Sequence, residues 1–384
     1  MTVSDHQQTG ANGATGAGSS GPAHAIYRNT RHFSSLNGLR FLCIFAVLWH
    51  HAPVWAQMAD APQLLRRGFL GVDFFFVLSG FLITTLLLRE EDQNGRFSLR
   101  GFYWRRFLRI VPVYFLVVTL IAVFFIGVKG RTGYLELLPF YYLFLSNFLA
   151  SDIPMLAPTW SLSVEEQYYL VWPLLLLLTP RRFILPVLAG LIVLNVVAVT
   201  GGLRVIGIRP IKIDPLVIRM FTATYAPILI GSGLAVILHN KAGFDALARV
   251  FGSRFAAPVA FLLLPVLIHF LPADLTGWPN LVLHFYMAAC LTSIVIREDH
   301  LLRPFFVFRP VARVGEISYG IYLYHLIALH ITVSYLSAGI RLDGWLIFVT
   351  YSLVAILISE LSFRYYETPF LNLRHKKSRS QSVP

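Results

Sequence analysis

Apolar residues run through this chain in ten stretches of roughly bilayer length, at about 36–56, 68–88, 107–128, 161–179, 183–202, 218–238, 256–272, 279–297, 316–337 and 344–364. Each comes near the ~20 residues an α-helix needs to cross a bilayer, the shortest falling somewhat under it. The pattern predicts an all-α polytopic membrane protein of about ten transmembrane helices. One more apolar segment, 134–150, is interrupted by Glu136, Pro139, Ser146 and Asn147. It reads as a further span or as a re-entrant or peripheral helix.

Charge decides between these. If 134–150 does not cross, one side collects Arg28, Arg31 and Arg40, the loop 89–106 with Arg109, the Arg181-Arg182 turn, the loops 239–255 and 297–315, and the tail from Arg364. That side then carries most of the 32 Lys and Arg residues, which by the positive-inside rule makes it cytoplasmic. Were 134–150 to cross, the later clusters would all move outside. Ten spans with both termini cytoplasmic, in a bacterial cell membrane, is the expectation. A net charge of +13 in another chain would suggest nucleic acid. Here the charge lies in short loops between apolar runs, so no nucleic-acid partner is expected.

Composition agrees: 56% of residues are hydrophobic, 13% are charged and the mean hydropathy is +0.66, far more apolar than a soluble domain. Aromatic residues, 14% of the chain, suit belts at the two membrane interfaces. Residues 1–27 are rich in Gly, Ser, Ala, Thr and Gln, a composition that cannot bury a core, and they are expected to form a disordered cytoplasmic tail. They lack the apolar stretch of a signal peptide, so the first span would serve as an uncleaved anchor. Residues 28–371 read as one transmembrane domain without internal repeats, and 372–384 as a basic cytoplasmic tail. Cys43 and Cys290 both sit inside apolar runs, giving neither a disulfide framework nor metal-ligand spacing, and no metal is expected.

An ionisable side chain inside a span costs at least about 2.5–3.5 kcal/mol, so each one is a functional-site hypothesis. In the first span Arg40 and His51 are eleven residues apart, which brings them within about 20° of one helical face and about 16 Å apart along it. They can line one cavity, with His50 turned about 80° away from Arg40. Arg40 reaching to headgroups and His51 capping the helix end account for the same residues. Arg105, Arg106 and Arg109 adjoin the aromatic pair Tyr103-Trp104. Three guanidiniums there suit a phosphate-bearing donor such as coenzyme A, or anionic lipid beside a span. The adjacent carboxylates Glu165 and Glu166 open the fourth span. A helix-start dipole explains one of them well and two less well. One carboxylate facing a histidine would orient the ring and stabilise its imidazolium. Ser318, Tyr322 and His325 form one stripe of the ninth span, a pattern also met in plain interhelical hydrogen bonding. Asp73, at the edge of the second span, fits a helix cap or a site residue equally. A histidine and carboxylates held in a membrane point to acyl or proton transfer. A transporter or flippase of a glycan or acyl-bearing substrate is the rival reading. The absence of paired repeats speaks against it.

Taken in order, the pieces resemble the acyltransferase-3 family of integral membrane acyltransferases. The matching stretches are Leu36-Asn37-Gly38-Leu39-Arg40 with His51, Gly71-Val72-Asp73 through Ile83, and Arg105-Arg106 with Arg109-Ile110 and Pro112. Thr159-Trp160-Ser161 through Tyr169, Ile317-Ser318-Tyr319 through His325, and Tyr366-Glu367-Thr368-Pro369-Phe370 complete the set. The resemblance implies ten spans, a cytoplasmic acyl-CoA donor (commonly acetyl-CoA) used as a substrate with no permanently bound cofactor, and an acceptor hydroxyl on a carbohydrate or glycoside. It selects His51 over His50 as the working histidine. Asn37 stands where the family commonly has Asp, which puts that position's contribution in doubt. No extracytoplasmic hydrolase-like domain of the kind many members append is evident, so delivery to the acceptor is expected within the membrane domain.

Overall fold

The computed structural model describes residues 20–379 apart from 31, 55–57, 59–60, 206, 208–210, 214–215, 219–224 and 337–342. Arg31 and the opening of the predicted span 218–238 lie outside the described residues. The chain begins with α1 (Ser20–Asn29) and α2 (Leu36–His51), then a single turn, α3 (Gln63–Arg66), and the long α4 (Leu70–Asn94). Next come α5 (Leu99–Ala122), which widens into a π-helical turn at Val123–Val128, the five-residue α6 (Leu138–Tyr142), α7 (Thr159–Leu178) and α8 (Ile184–Val199). A small antiparallel hairpin, β1 (Ile211–Ile213) with β2 (Leu216–Ile218), precedes α9 (Ala226–His239), α10 (Lys241–Phe251) and α11 (Ala256–Phe270). The remainder is α12 (Trp278–Val295), the short α13 (Arg303–Phe306) and α14 (Arg309–Glu316), then α15 (Ser318–Ile331), α16 (Gly344–Ser362) and α17 (Thr368–Arg379). Apart from the hairpin the architecture is all-α.

Among the described residues five helical segments are long and apolar enough to cross a membrane: Leu70–Asn94, Leu99–Val128, Arg181–Val199, Trp278–Val295 and Gly344–Leu373. The pairs α10–α11 and α14–α15 bend by 75° and 77° at their junctions, and counting each as one span gives seven. In the other predicted stretches α2 and α9 are helices of only 16 and 14 residues, and α7, an unbroken helix of 20 residues, carries Glu165, Glu166 and Gln167. Segment 134–150 contains no spanning helix. It folds as short turns around α6, held to α7 by Ser146 Oγ against Thr159 and Ser163 (3.1 and 2.9 Å) and by Gln167 Nε2 donating to the Phe144 carbonyl (2.9 Å). Phe144 adopts φ +55°, a left-handed conformation costly for an aromatic residue. Stacking on Tyr114 at 4.3 Å holds it there.

α4 is the spine, the most buried of the span-length helices. It meets α9 at backbone distance because both contact positions are glycine. A Cβ on Gly80 would lie 1.9 Å from the Ile228 carbonyl oxygen, and one on Gly231 2.0 Å from that of Val77. Small residues allow this approach where lipid offers no hydrophobic drive to association. Two polar pairs lie beside this contact, the Tyr168 hydroxyl with Ser232 (2.7 Å) and Trp172 Nε1 donating to Thr84 (2.8 Å), which meets the cost of burying them away from water.

Residues 20–27, within the stretch expected to be disordered, are helical. Composition missed them because one aromatic anchors them: Tyr27 is buried against Phe33 and Phe244. Arg89 of α4 donates to the Tyr27 and Thr30 carbonyls, fixing the entry to α2.

Candidate active site

Between α2, α4, α5, α7 and α15 lies a cavity of about 500 Å³, within the range of small-molecule sites. Its wall carries Arg40, Arg89, Arg105, Arg106 and Arg109 against Glu90, Glu165 and Glu166. The positive excess attracts an anion.

Each side chain is there for a local reason. Ser98 caps α5, its hydroxyl accepting from the Gly101 amide at 3.1 Å, so the basic run occupies the first three turns of that helix. Arg105 and Arg109 share a face at i, i+4. Arg105 pairs with Glu90 at 2.7 Å and is 43% exposed at the mouth. Arg106 lies deeper, its guanidinium over the rings of Phe102 (5.9 Å) and Tyr169 (5.4 Å). Arg40 projects from the second turn of α2 and donates to Asn37 Oδ1 at 2.8 Å. Asn37, the departure from the family pattern, therefore holds Arg40 without cancelling its charge. On α7 Glu165 accepts from Ser79 of α4 at 2.7 Å. The carboxylates Glu165 and Glu166 face the arginines across the cavity.

At its far end the cavity reaches Ser318, Tyr319 and Tyr322. The Tyr322 hydroxyl and Ser161 Oγ are 2.6 Å apart, and both also reach the Pro158 carbonyl. One turn further along α15 is His325, fully buried, whose Nδ1–H donates to the Tyr322 carbonyl at 2.6 Å. Its ring meets that of His51 with centroids 4.8 Å apart. His51 donates Nδ1–H to the Val47 carbonyl at 3.0 Å and touches His50 at 5.0 Å between centroids.

The sequence reading placed Arg40 and His51 in one cavity and a carboxylate of the Glu165-Glu166 pair against His51. The structure separates them. Arg40, Arg105, Arg106, Arg109, Glu165, Glu166, Ser318 and Tyr322 line one cavity, while His51 and His50 lie beyond it against His325. Helical phase and rise were both read correctly, but neither says where along α2 the cavity ends. The same face carries Arg40 into the cavity and, about 16 Å further on, His51 past its end. Asp73 is a third case. It is nearly buried and its carboxylate meets His284 Nε2 at 3.3 Å, away from the cavity.

Sequence reasoning missed Ser79, Tyr169, Arg89 and His284. Ser79 and His284 were detectable as polar residues inside apolar runs, but nothing local names their partners. Among the described residues no group of three His, Cys, Asp or Glu side chains is placed to hold a metal ion.

Comparison with known proteins carries the site further. The peptidoglycan O-acetyltransferase OatA of Listeria monocytogenes is 28% identical over 88% of this chain and 56% of its own length. The O-acetyltransferase OatA of Staphylococcus aureus is 25% identical over 88% of this chain and 57% of its own. The chain thus spans little more than half the length of these relatives. No solved structure matches it. The model of the acyltransferase domain matches residues 33–363, a range that holds the arginine–glutamate cavity and the histidines beyond it, and the chain belongs to that family of acyltransferase domains.

Proposed function

We propose that the protein is a multi-pass bacterial membrane O-acyltransferase that moves an acyl group, most simply acetyl, from cytoplasmic acyl-CoA to a hydroxyl of a carbohydrate or glycosylated acceptor. The observation that carries this reading is the arginine-walled cavity ending one helical turn from a histidine pair. Arg40, Arg105, Arg106 and Arg109 hold the donor's phosphates, since guanidiniums bind phosphate bidentately. The acyl thioester points along the cavity toward Tyr322. His51 supplies the base: its Nε2 takes the acceptor's hydroxyl proton while that oxygen attacks the thioester carbonyl. The C–S bond breaks, and the proton passes from the imidazolium to the leaving thiolate, giving the ester and free coenzyme A. A relay in which Nε2 itself first accepts the acyl group uses the same residues.

The charge distribution supports ten crossings with both termini cytoplasmic, the bent pairs and the shorter helices α2, α7 and α9 included. In this topology the cavity mouth, with Arg89, Glu90 and Arg105, faces the side where acyl-CoA is found. The relatives are named for O-acetylation, one of them of peptidoglycan, which favours a cell-surface glycan as acceptor.

The test is transfer of labelled acetyl from acetyl-CoA to extracted glycan, normalised to the membrane protein present. His51→Ala is expected to lose about 10²–10⁴-fold, the usual contribution of a general base. His50→Ala is expected to retain most activity. Activity surviving both changes removes the histidine from the mechanism and favours a transporter or flippase.

A further inference from the structure

The buried ring of His325 has an unfilled bond. Its Nδ1–H is committed to the Tyr322 carbonyl at 2.6 Å. A carbonyl only accepts, so in the neutral ring the other nitrogen, Nε2, is a bare acceptor. That atom is buried and has no hydrogen-bond partner among the described residues. Buried acceptors are nearly always satisfied, and each exception calls for a physical reason. His51 is in the same tautomer, its Nδ1–H held by the Val47 carbonyl. In the neutral rings two acceptor nitrogens therefore belong to rings 4.8 Å apart at 64°.

We infer that His325 is a positioning residue for His51: with His51 Nδ1–H held by Val47, the His325 Nε2 serves as a second acceptor, beside the substrate, for the Nε2–H that His51 gains on taking the acceptor's proton, a shared bond that exists only in that charged state. The inference rests on His51 acting as the base proposed above. The orphaned acceptor is then filled in the charged state and empty in the resting state, so the pair stabilises what forms during turnover rather than what precedes it. The titratable rings beside His325 are His51 and His50 of α2, with Tyr322 one turn back on its own helix. Among the described residues no carboxylate is in contact with either ring, and a neutral imidazole stands where an aspartate or glutamate steadies a catalytic imidazolium elsewhere. His325 also connects the two halves of the site. The carbonyl that fixes its tautomer belongs to Tyr322, whose hydroxyl meets Ser161 at the cavity wall. Occupation of the cavity and orientation of the histidine pair thus share one turn of α15.

Three proteins are compared by the rate of acetyl transfer against pH, at saturating acetyl-CoA and normalised to membrane protein: the parent, His325→Phe and His325→Gln. Phenylalanine fills the buried space with an apolar ring and cannot accept a hydrogen bond. Glutamine keeps an acceptor oxygen. In His325→Phe the acid limb of the profile is expected to move to lower pH by about one unit, because a charge-assisted hydrogen bond to the imidazolium is lost. Its plateau rate should fall at least tenfold while KM for acetyl-CoA stays within twofold of the parent. His325→Gln should recover part of both the rate and the limb. An unshifted acid limb in His325→Phe, or equal profiles for the two variants, overturns the inference and leaves His325 a packing residue. A parent that transfers no acetyl from acetyl-CoA overturns the proposed function instead. So does a His51→Ala variant as active as the parent, and either result is seen before the His325 variants are compared.

Discussion

Arg40 and His51 share one face of α2, yet the two ends of that helix are served by opposite chemistry. Around Arg40 charge is abundant and answered: Glu90 pairs with Arg105, Ser79 with Glu165, and Asn37 with Arg40. Around His51, among the described residues, lie the rings of His50 and His325, and the hydrogen bonds of His51 and His325 go to backbone carbonyls. The first environment suits a ligand that arrives charged and must be held. The second suits a proton that appears only during reaction. If that division is real, changes at the cavity end should raise KM for the donor with kcat kept, and changes at the histidine end should do the reverse.

The largest effect at the cavity end is expected for Arg106→Ala. Arg106 lies over two aromatic rings and within the fields of Glu165 and Glu166. A charge-assisted hydrogen bond to phosphate contributes about 1.5–3 kcal/mol, so KM for acetyl-CoA should rise roughly 10–100-fold. Arg105→Ala should cost less, since that side chain is exposed and already paired with Glu90. Initial rates over a range of acetyl-CoA concentrations decide it. A fall in kcat at unchanged KM in Arg106→Ala would erase the division between the two ends.

A smaller effect tests the arginine's charge alone. Asn37→Asp keeps an acceptor for Arg40 but adds an anion at 2.8 Å. It should compete with donor phosphate and raise KM a few-fold, on the order of 1 kcal/mol for a solvent-screened pair, with kcat and the pH profile unmoved. An unchanged or lower KM would show that Arg40 orients the first turn of α2 rather than binding donor.

Much of this was legible in the sequence, and what was not has a common cause. Hydropathy found the helices, because bilayer length and apolar content leave few alternatives. It overstated their lengths where polar residues or bends intervene. α2 stops at His51, α9 begins only at Ala226, and α10–α11 turns by 75°. Residue type found the arginines and glutamates of the cavity, since charge in a span is conspicuous. Phase and rise along α2 did not place His51, because the extent of the cavity is set by the neighbouring helices. Pairings between distant helices, Ser79 with Glu165, Asp73 with His284 and His325 with His51, depend on packing that no local pattern encodes. Tyr27 shows the opposite failure: one aromatic in a Gly- and Ser-rich stretch was enough to dock a helix that composition had dismissed.

The smallest expected effect sharpens the comparison through acid sensitivity. His300, in the loop after α12, meets Ser35 Oγ with its Nε2 at 2.9 Å, and Ser35 immediately precedes α2 at the Arg40 end. Burial, with the Arg303 guanidinium beside it, pushes His300 down to about 4, against about 6.5 for an unfolded histidine. The folded pKa is the lower one, so as pH falls from 6.5 toward 4 the unfolded chain takes up a proton that the folded chain refuses. Stability therefore declines through that window and levels off below it, by an amount on the order of 3 kcal/mol. His300→Asn keeps a polar partner for Ser35 but cannot be charged. It should unfold at nearly the same temperature at pH 5 as at pH 7.5, whereas the parent should lose several degrees over the same interval. Because His300 braces only the cavity end, KM for acetyl-CoA in the parent should rise at pH 5 and stay flat in the variant, with the acid limb of kcat, set by His51, common to both. A variant whose kcat limb moved along with its stability would mean that the two ends of α2 respond as one unit.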